Sequence, residues 1–264
     1  MANVIPADPI DLARTAFLLD VDGTLLDFAP TPREVRVPPA LRETLARLHH
    51  RTRGAVAFVS GRRLDDLDLI FAPLELPAIG GHGAEFRPVV DGDAAPSPLP
   101  PLSPAIKRRL AAVRDIGPGI ILEDKIHSLA IHFRLAPQAE GAVRQAVDAI
   151  CAGCPDGNLE VLPGNAVVEI KQGGFNKGTA VRQLMTYPPF RGRRPVFIGD
   201  DRTDELVFPV LAEFDGIGFS VGRRVDGARG CFDAPHDVRT WLDHVSRQSA
   251  AADAAADKLS AVCR

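Results

Sequence analysis

Two aspartates one residue apart, Asp20 and Asp22, end the apolar run F-L-L-D-V-D-G at 17–23, and three more, Asp200, Asp201 and Asp204, follow a second such run, V-F-I-G, at 196–199. Taken alone, Asp-x-Asp-Gly is an ordinary strand running into a turn, because Asp and Gly are common turn residues. Strand side chains alternate faces, however, so Asp20 and Asp22 emerge on one side while Val21 points to the other, and Gly23 lets the backbone turn sharply. Two carboxylates that close raise each other's pKa unless a cation offsets their charge. Such a pair suits a metal site or an acid/base pair. If both acidic strand ends reach one sheet edge, five carboxylates there call for a cation. An all-oxygen donor set without Cys or His selects a hard ion, Mg²⁺ first.

Two further residues have the character of an anion pocket. Asn176 in F-N-K-G-T-A-V is a plausible N-cap, which puts Lys177 in the first turn of a helix, where a cation opposes the helix dipole. A lysine in that place implies a task beyond helix formation. Ser60, in V-S-G-R, sits at a strand end before Gly61, where a hydroxyl and free backbone N–H groups hold an anion's oxygens. Ser, Lys and metal-binding Asp together describe a pocket for a phosphoryl group.

The elements that must bring these residues together are short apolar runs closed by Gly, Ser or Asp, at 16–22, 55–61, 76–83, 195–201 and 216–222. Their continuous apolar character fits strands covered on both faces of a parallel sheet. Between the first two, Pro38 and Pro39 open a helix whose Leu41, Leu45 and Leu48 form one stripe; after the second, Leu64, Leu67 and Phe71 do the same. The alternation predicts an α/β, doubly wound, mostly parallel sheet, in which ligands bind at the carboxyl ends of the strands. The middle of the chain differs. A Pro-rich stretch leads to a helix, two strands (the second alternating Leu129, Ile131, Phe133 with Ala130, His132, Arg134), a helix carrying Val143, Val147 and Ile150, and a hairpin about P-G-N. That is an antiparallel sheet with one open face. The expected division is a core of residues 1–84 and 173–247, an inserted α+β domain at 85–172, and a tail at 248–264 whose Ala-rich low complexity fits a weak helix or disorder, with disorder favoured.

The ordered set D-V-D-G-T (20–24), S-G-R (60–62), K-G (177–178) and G-D-D-x-x-D (199–204) resembles the four motifs of the haloacid dehalogenase superfamily of phosphotransferases. More narrowly, F-L-L-D-V-D-G-T-L, V-S-G-R-R, G-G-H-G-A-E, V-V-E-I-K-Q-G-G-F-N-K-G and V-F-I-G-D-D-R-T-D-E, with their spacing, are similar to the bacterial trehalose-6-phosphate phosphatase family, from about residue 15 to about residue 245. The resemblance implies a Rossmann-like core with a cap of αββαββ order. It implies Asp20 as a nucleophile that forms an aspartyl-phosphate, and Asp22 as the acid that protonates the departing sugar oxygen and the base that later activates water. Mg²⁺ would be held by the Asp20 carboxylate, the Asp22 carbonyl and Asp200, with Asp201 and Asp204 orienting its waters or Lys177. Ser60 and Lys177 would bind the phosphoryl oxygens. On the cap, Glu123, Lys125 and Glu169 fall where the family meets sugar hydroxyls. His132 and Arg134 on a polar strand face, His82 near the junction of core and cap, and Arg62 beside Ser60 are further candidates for substrate contact.

Composition narrows the field. In 264 residues, 31 Lys and Arg against 34 acidic residues give a net charge of -3 with no basic run, so nothing points to nucleic acid or an anionic membrane. The first residues lack the pattern of a signal peptide and no apolar run is long enough to span a bilayer, so a soluble cytoplasmic protein is expected. Four cysteines are too few for a disulfide framework, and Cys151 and Cys154 in C-A-G-C, lacking a second ligand pair, read as ordinary thiols rather than a zinc site. Two classes of function compete. One is a sugar-phosphate phosphatase, with sucrose-phosphate, mannosyl-3-phosphoglycerate and phosphomutase variants open because only the cap discriminates among them. The other is a non-catalytic phosphoreceiver, whose acid pair opens and acceptor follows, the reverse of the order here. A synthase that makes the phosphate ester is a partner the sequence does not display.

Overall fold

The computed structural model describes residues 10–29, 31, 34–90, 101–154 and 158–248. Most of the Pro-rich stretch and all of the Ala-rich tail after Gln248 lie outside those residues. Strand β1 (Thr15–Leu19) leads through helix α1 (Pro39–Arg51) to β2 (Val56–Val59), then through α2 (Leu64–Phe71) to β3 (Ala78–Gly80) and β4 (Glu85–Arg87). Next come α3 (Pro104–Ala111), β5 (Ile121–Asp124), β6 (Ser128–His132), α4 (Glu140–Ala152), β7 (Leu159–Gly164) and β8 (Val167–Gln172). The chain returns through α5 (Lys177–Leu184), β9 (Arg194–Gly199), the short α6 (Phe208–Leu211), β10 (Ile217–Val221), β11 (Gly230–Phe232) and α7 (Pro235–Arg247).

Seven strands form the core sheet in the order β11-β10-β9-β1-β2-β3-β4, parallel except for the β3–β4 pair. The apolar runs have no polar face because both faces are covered. Phe17, Leu19, Val56, Phe58, Val196 and Ile198 face α1, α2 and α7, while Ala16, Leu18, Ala57, Val59 and Phe197 face α5 and α6. Trp241 of α7 packs among Phe219 and Phe232, each 5.7 Å away, and Phe17 at 6.4 Å between ring centres. Each such side chain, fully buried, stabilises the fold by about 1.5–3 kcal/mol before conformational entropy is set against it.

The sheet turns back at β1. From β1 the chain proceeds to β2 and β3 on one side and, after the insertion, to β9 and β10 on the other. Leu19 is in register with Ile198, so Asp20 and Asp200 leave neighbouring strands at the switch point, where open α/β sheets bind ligands.

One boundary needs correction. Residues 85–87, expected to open the inserted domain, are instead the antiparallel edge strand of the core sheet. The reason is Arg87, which is buried and donates to both carboxylate oxygens of Asp68 (2.7 and 2.6 Å) and to the Leu76 carbonyl (3.0 Å), while Phe86 joins the α5 side of the core. A charged residue in a three-residue strand hides that strand from any reading of apolar runs.

The insertion is a four-stranded antiparallel sheet, β5-β6-β8-β7, backed by α3 and α4 in αββαββ order. Leu129, Ile131, Val168 and Ile170 point into its core with Val143 and Val147 of α4. The register places Glu123 beside Ala130, Ala130 beside Glu169 and Glu169 beside Leu162, so the two glutamates share the opposite, open face. Among the described residues no helix is long and apolar enough to cross a membrane.

Candidate active site

The floor of the site is built by strand ends. Asp20 leaves β1 with its N–H on the Ile198 carbonyl (3.0 Å), and its side chain is buried. Gly23 then turns the chain at φ +83°, with its N–H on the Leu26 carbonyl; a Cβ there would stand 2.2 Å from Asp200 Oδ2, so only glycine admits the Asp200 carboxylate. Thr24 Oγ1 donates to the other oxygen of Asp200 at 3.1 Å.

Lys177 reaches this floor from α5. Asn176 caps the helix, accepting the Thr179 N–H at 2.9 Å while Thr179 Oγ1 accepts the Asn176 N–H at 3.1 Å. Gly178 lets α5 pack directly on the turn at 204–206, since a Cβ on it would lie 2.2 Å from the Leu206 carbonyl oxygen. The buried Lys177 Nζ donates to Asp20 Oδ1 and Asp204 Oδ1, both at 2.7 Å. Burial opposes its charge, but the two carboxylates outweigh burial and hold the ammonium above the ordinary lysine range. Its charge is neutralised by the Asp20 and Asp204 carboxylates, which follow β1 and β9.

Asp20, Asp200 and Asp204 offer oxygens within 4.8 Å of one another. Asp204 is fully engaged: Oδ1 takes Lys177, and Oδ2 accepts the N–H groups of Asp200 (3.0 Å) and Asp201 (2.9 Å). Its work is to fix the lysine and the Asp200–Asp201 turn, leaving Asp20 and Asp200 to face the cavity. Burial and then Asp20 push Asp204 up to about 7. Burial, then Asp20 and Asp204, push Asp200 up to about 9. A cluster that would bind protons so far above the usual carboxylate range fits a divalent cation, and its donors, all oxygen, fit Mg²⁺. Asp201 accepts the Arg202 N–H at 2.6 Å at the cavity rim.

Ser60 ends β2, buried, with its Oγ accepting the Arg62 N–H at 3.1 Å. Arg62 grips Asp22 with two bonds, Nε to Oδ2 at 2.6 Å and the NH2 nitrogen to Oδ1 at 2.7 Å. Sequence reasoning did not foresee this pairing, because 40 residues separate the two and only the β1–β2 adjacency joins them.

The roof is the open face of the inserted sheet. Glu169 is buried; it accepts Ser128 Oγ (2.6 Å) and Lys125 Nζ (2.8 Å) and meets His82 Nε2 (3.3 Å). Burial alone would raise its pKa, but Lys125 and His82 outweigh it and keep the carboxyl well below the usual range. Lys125 also donates to the Gly61 carbonyl at 3.1 Å, and His82 belongs to the core, so both tie roof to floor. His82 adopts a left-handed φ of +56°, stacks over Gly61, and buries Nδ1 without a hydrogen-bond partner among the described residues. Glu123 meets His132 Nε2 at 2.8 Å; burial is outweighed by that bond and by Lys125, which lower its pKa. Arg134 donates to the Asn165 carbonyl at 3.0 Å and lies over the Phe28 ring.

A cavity of about 630 Å³ separates floor from roof, and every candidate from the sequence except the fully buried Asp204 lines it. Asn165 and Phe28 also line it, while Ser128 is buried and donates to Glu169 without lining the cavity; the sequence reading missed all three, although Ser128 carries a signal, as a polar residue facing the same side as His132 on an alternating strand. The volume exceeds the needs of phosphate alone. Opposed carboxylates, a lysine and a serine below, with paired acid and base groups above, suit a phosphate ester of a polyhydroxylated leaving group.

Residues 18–230 match the family described as trehalose-phosphatase. A probable trehalose-phosphate phosphatase of Sinorhizobium fredii is 38% identical over 226 residues, covering 85% of this chain and 84% of its own. Trehalose-6-phosphate phosphatase of Escherichia coli is 36% identical over 247 residues, 93% and 92% of the two chains. Among solved structures, the C-terminal domain of the Candida albicans trehalose-6-phosphate phosphatase superposes with a TM-score of 0.79 at 20% identity, covering 89% of this chain and 93% of that one. A haloalkanoate-superfamily phosphatase of Bacteroides thetaiotaomicron gives a TM-score of 0.58 at 17% identity, covering 93% and 99%, which speaks for the shared fold.

Proposed function

This chain belongs to the trehalose-phosphatase family and is a phosphomonoester hydrolase, and on that premise we propose that it hydrolyses trehalose 6-phosphate to trehalose and phosphate, with Mg²⁺, through a phosphoryl group carried on Asp20. The observation that carries this reading is one cavity with Asp20, Lys177 and Asp200 on its floor and the Glu123 and Glu169 carboxylates overhead.

Asp20 and Asp200, with the Asp22 carbonyl, would hold the cation, which would offset the charge of a phosphate dianion entering among carboxylates. Asp20 attacks phosphorus through Oδ2 while Oδ1 remains on Lys177. The bond from phosphorus to the sugar oxygen breaks, and Asp22 gives that oxygen its proton. Water then attacks the aspartyl-phosphate, Asp22 takes a proton from it, and phosphate leaves with Asp20 restored. Ser60 and Lys177 donate to the phosphoryl oxygens as charge shifts among them. Both oxygens of Asp22 are held by Arg62 in the structure, so Arg62 must release the carboxylate before it can act, and the incoming phosphate is the natural competitor for that guanidinium. Above, Glu123, Lys125, His132 and Glu169 present donors and acceptors to sugar hydroxyls, and Arg134 and His82 complete the wall. A cytoplasmic setting, and a synthase that makes the ester, belong to the same proposal.

The test is acid quenching during turnover of trehalose 6-phosphate, followed by mass mapping. The peptide containing Asp20 should carry one phosphoryl group that is lost in alkali, and Asp20→Asn should carry none and show no turnover while keeping its circular dichroism. A labelled peptide elsewhere, or turnover by Asp20→Asn, would remove the nucleophile from this account.

A further inference from the structure

The C-A-G-C segment at 151–154 takes no part in the cavity. It lies in the helical layer of the inserted domain, on the opposite side of its sheet from Glu123 and Glu169. Cys151 occupies the last turn of α4, partly buried against that domain's core, and the Cys154 N–H donates to the Cys151 carbonyl at 3.0 Å. A hydrogen bond from residue i+3 to residue i keeps the two Cα atoms within about 7 Å, which overlaps the separation a disulfide spans. Both thiols are free and partly exposed.

The two sulfurs have different surroundings. Burial, then Cys154 and Asp148, push the Cys151 thiol up. Cys154 Sγ accepts an N–H from the Arg109 guanidinium, and the same nitrogen donates to the Gly153 carbonyl at 3.0 Å. A cation from α3 is therefore anchored on the turn between the cysteines and aimed at one of them. In disulfide exchange the thiolate is the nucleophile, and a guanidinium beside sulfur supports its charge.

We propose that Cys151 and Cys154 are a reversible redox dithiol, oxidised by low-molecular-weight disulfides such as oxidised glutathione, with Cys154 attacking first beside Arg109 and Cys151 resolving. The Cys154 thiol loses its proton and attacks one sulfur of the small disulfide; that S–S bond breaks and one small thiol departs with the proton. Cys151, deprotonated in turn, attacks the Cys154 sulfur of the mixed disulfide and expels the second small thiol. Two protein thiols are oxidised and one small disulfide is reduced. Only Ala152 and Gly153 lie within the ring, so the bond restricts little of the unfolded chain and belongs to the labile class rather than the structural one. Cys231 is buried with its thiol on the Phe232 carbonyl and does not compete.

The reduced full-length protein, incubated with oxidised glutathione, alkylated and mapped by mass spectrometry, tests this directly. The expected product is a peptide with Cys151 linked to Cys154, two hydrogens lighter than the reduced form and restored by dithiothreitol. Cys151→Ser should stop at glutathione on Cys154. In that background Arg109→Gln should slow the addition about tenfold, and Arg109→Lys should restore much of the rate. A stable glutathione adduct in the parent chain, a Cys154 link to Cys263, or no modification at all would overturn the dithiol. An unchanged rate in Arg109→Gln would overturn the role of Arg109.

Discussion

Lys177→Met replaces a buried ammonium, 2.7 Å from both Asp20 and Asp204, with an apolar side chain of similar length. Exposure is 2% for Lys177, 4% for Asp20 and 0% for Asp204, so water cannot screen the carboxylates left behind. Removing one partner from a buried ion pair costs about 3–5 kcal/mol. In a chain of this size that is roughly 6–20 °C in Tm. The pH dependence follows from the neighbours. With Lys177 in place, burial and the surrounding carboxylates already push Asp204 up to about 7 and Asp200 up to about 9, and Lys177 pulls both down, so both rise further in the variant. A carboxyl whose folded pKa lies above its unfolded value, about 3.9, contributes stability that is complete below that value and is lost as the pH rises through the folded pKa. The deficit of Lys177→Met should therefore be largest near pH 8.5 and narrow toward pH 5, where Asp204 holds a proton and Lys177 faces one carboxylate fewer. Urea unfolding followed by circular dichroism, at both pH values and without divalent cations, gives the comparison. A variant as stable as its parent near pH 8.5, or a deficit that grows on acidification, would refute the reasoning.

The same linkage governs the parent protein. Free of cations it should lose stability from pH 5 to pH 9 as Asp204 and Asp200 give up protons, and Mg²⁺ at a hundred times its Kd should return about 2.7 kcal/mol, read by calorimetry. Asp200→Asn should abolish the Mg²⁺ effect, and a Mg²⁺ effect of full size in that variant would contradict the site. Glu123→Ala should lower kcat/KM for trehalose 6-phosphate by about 10–150-fold, the worth of a hydrogen bond to a charged group, and leave a small aryl phosphate little changed. Equal losses on both would place Glu123 outside the sugar site. Gly178→Ala should cost about 1–3 kcal/mol by forcing α5 off the turn at 204–206, with a lower thermal midpoint and lower activity. A neutral outcome would mean that the close contact with the Leu206 carbonyl is readily relieved.

What could be read in the chain beforehand followed from patterns that local physics makes explicit. Both-sided burial makes β1, β2 and β9 uninterrupted apolar runs, and their abrupt ends in Asp20, Ser60 and Asp200 mark where the backbone leaves the core. Leu41, Leu45 and Leu48 repeat at helical spacing because one face of α1 packs on the sheet. The alternation of β6 exposes one face, which is why His132 stood out. β4 and β11 escaped because three residues are too few for a period, and because Arg87 is satisfied by Asp68, a partner that only the packing of α2 supplies. The grip of Arg62 on Asp22, the full engagement of Asp204 and the contact of His82 with Glu169 depend on elements far apart in sequence. Residue types could nominate those side chains, while their pairings needed the fold.

The most direct measurement is phosphate release by the purified protein from trehalose 6-phosphate, glucose 6-phosphate and sucrose 6-phosphate, each with Mg²⁺ and with a chelator. The account predicts rapid release from trehalose 6-phosphate alone, abolished by the chelator and restored by Mg²⁺. Preference for another ester, or release that persists in the chelator, would contradict it.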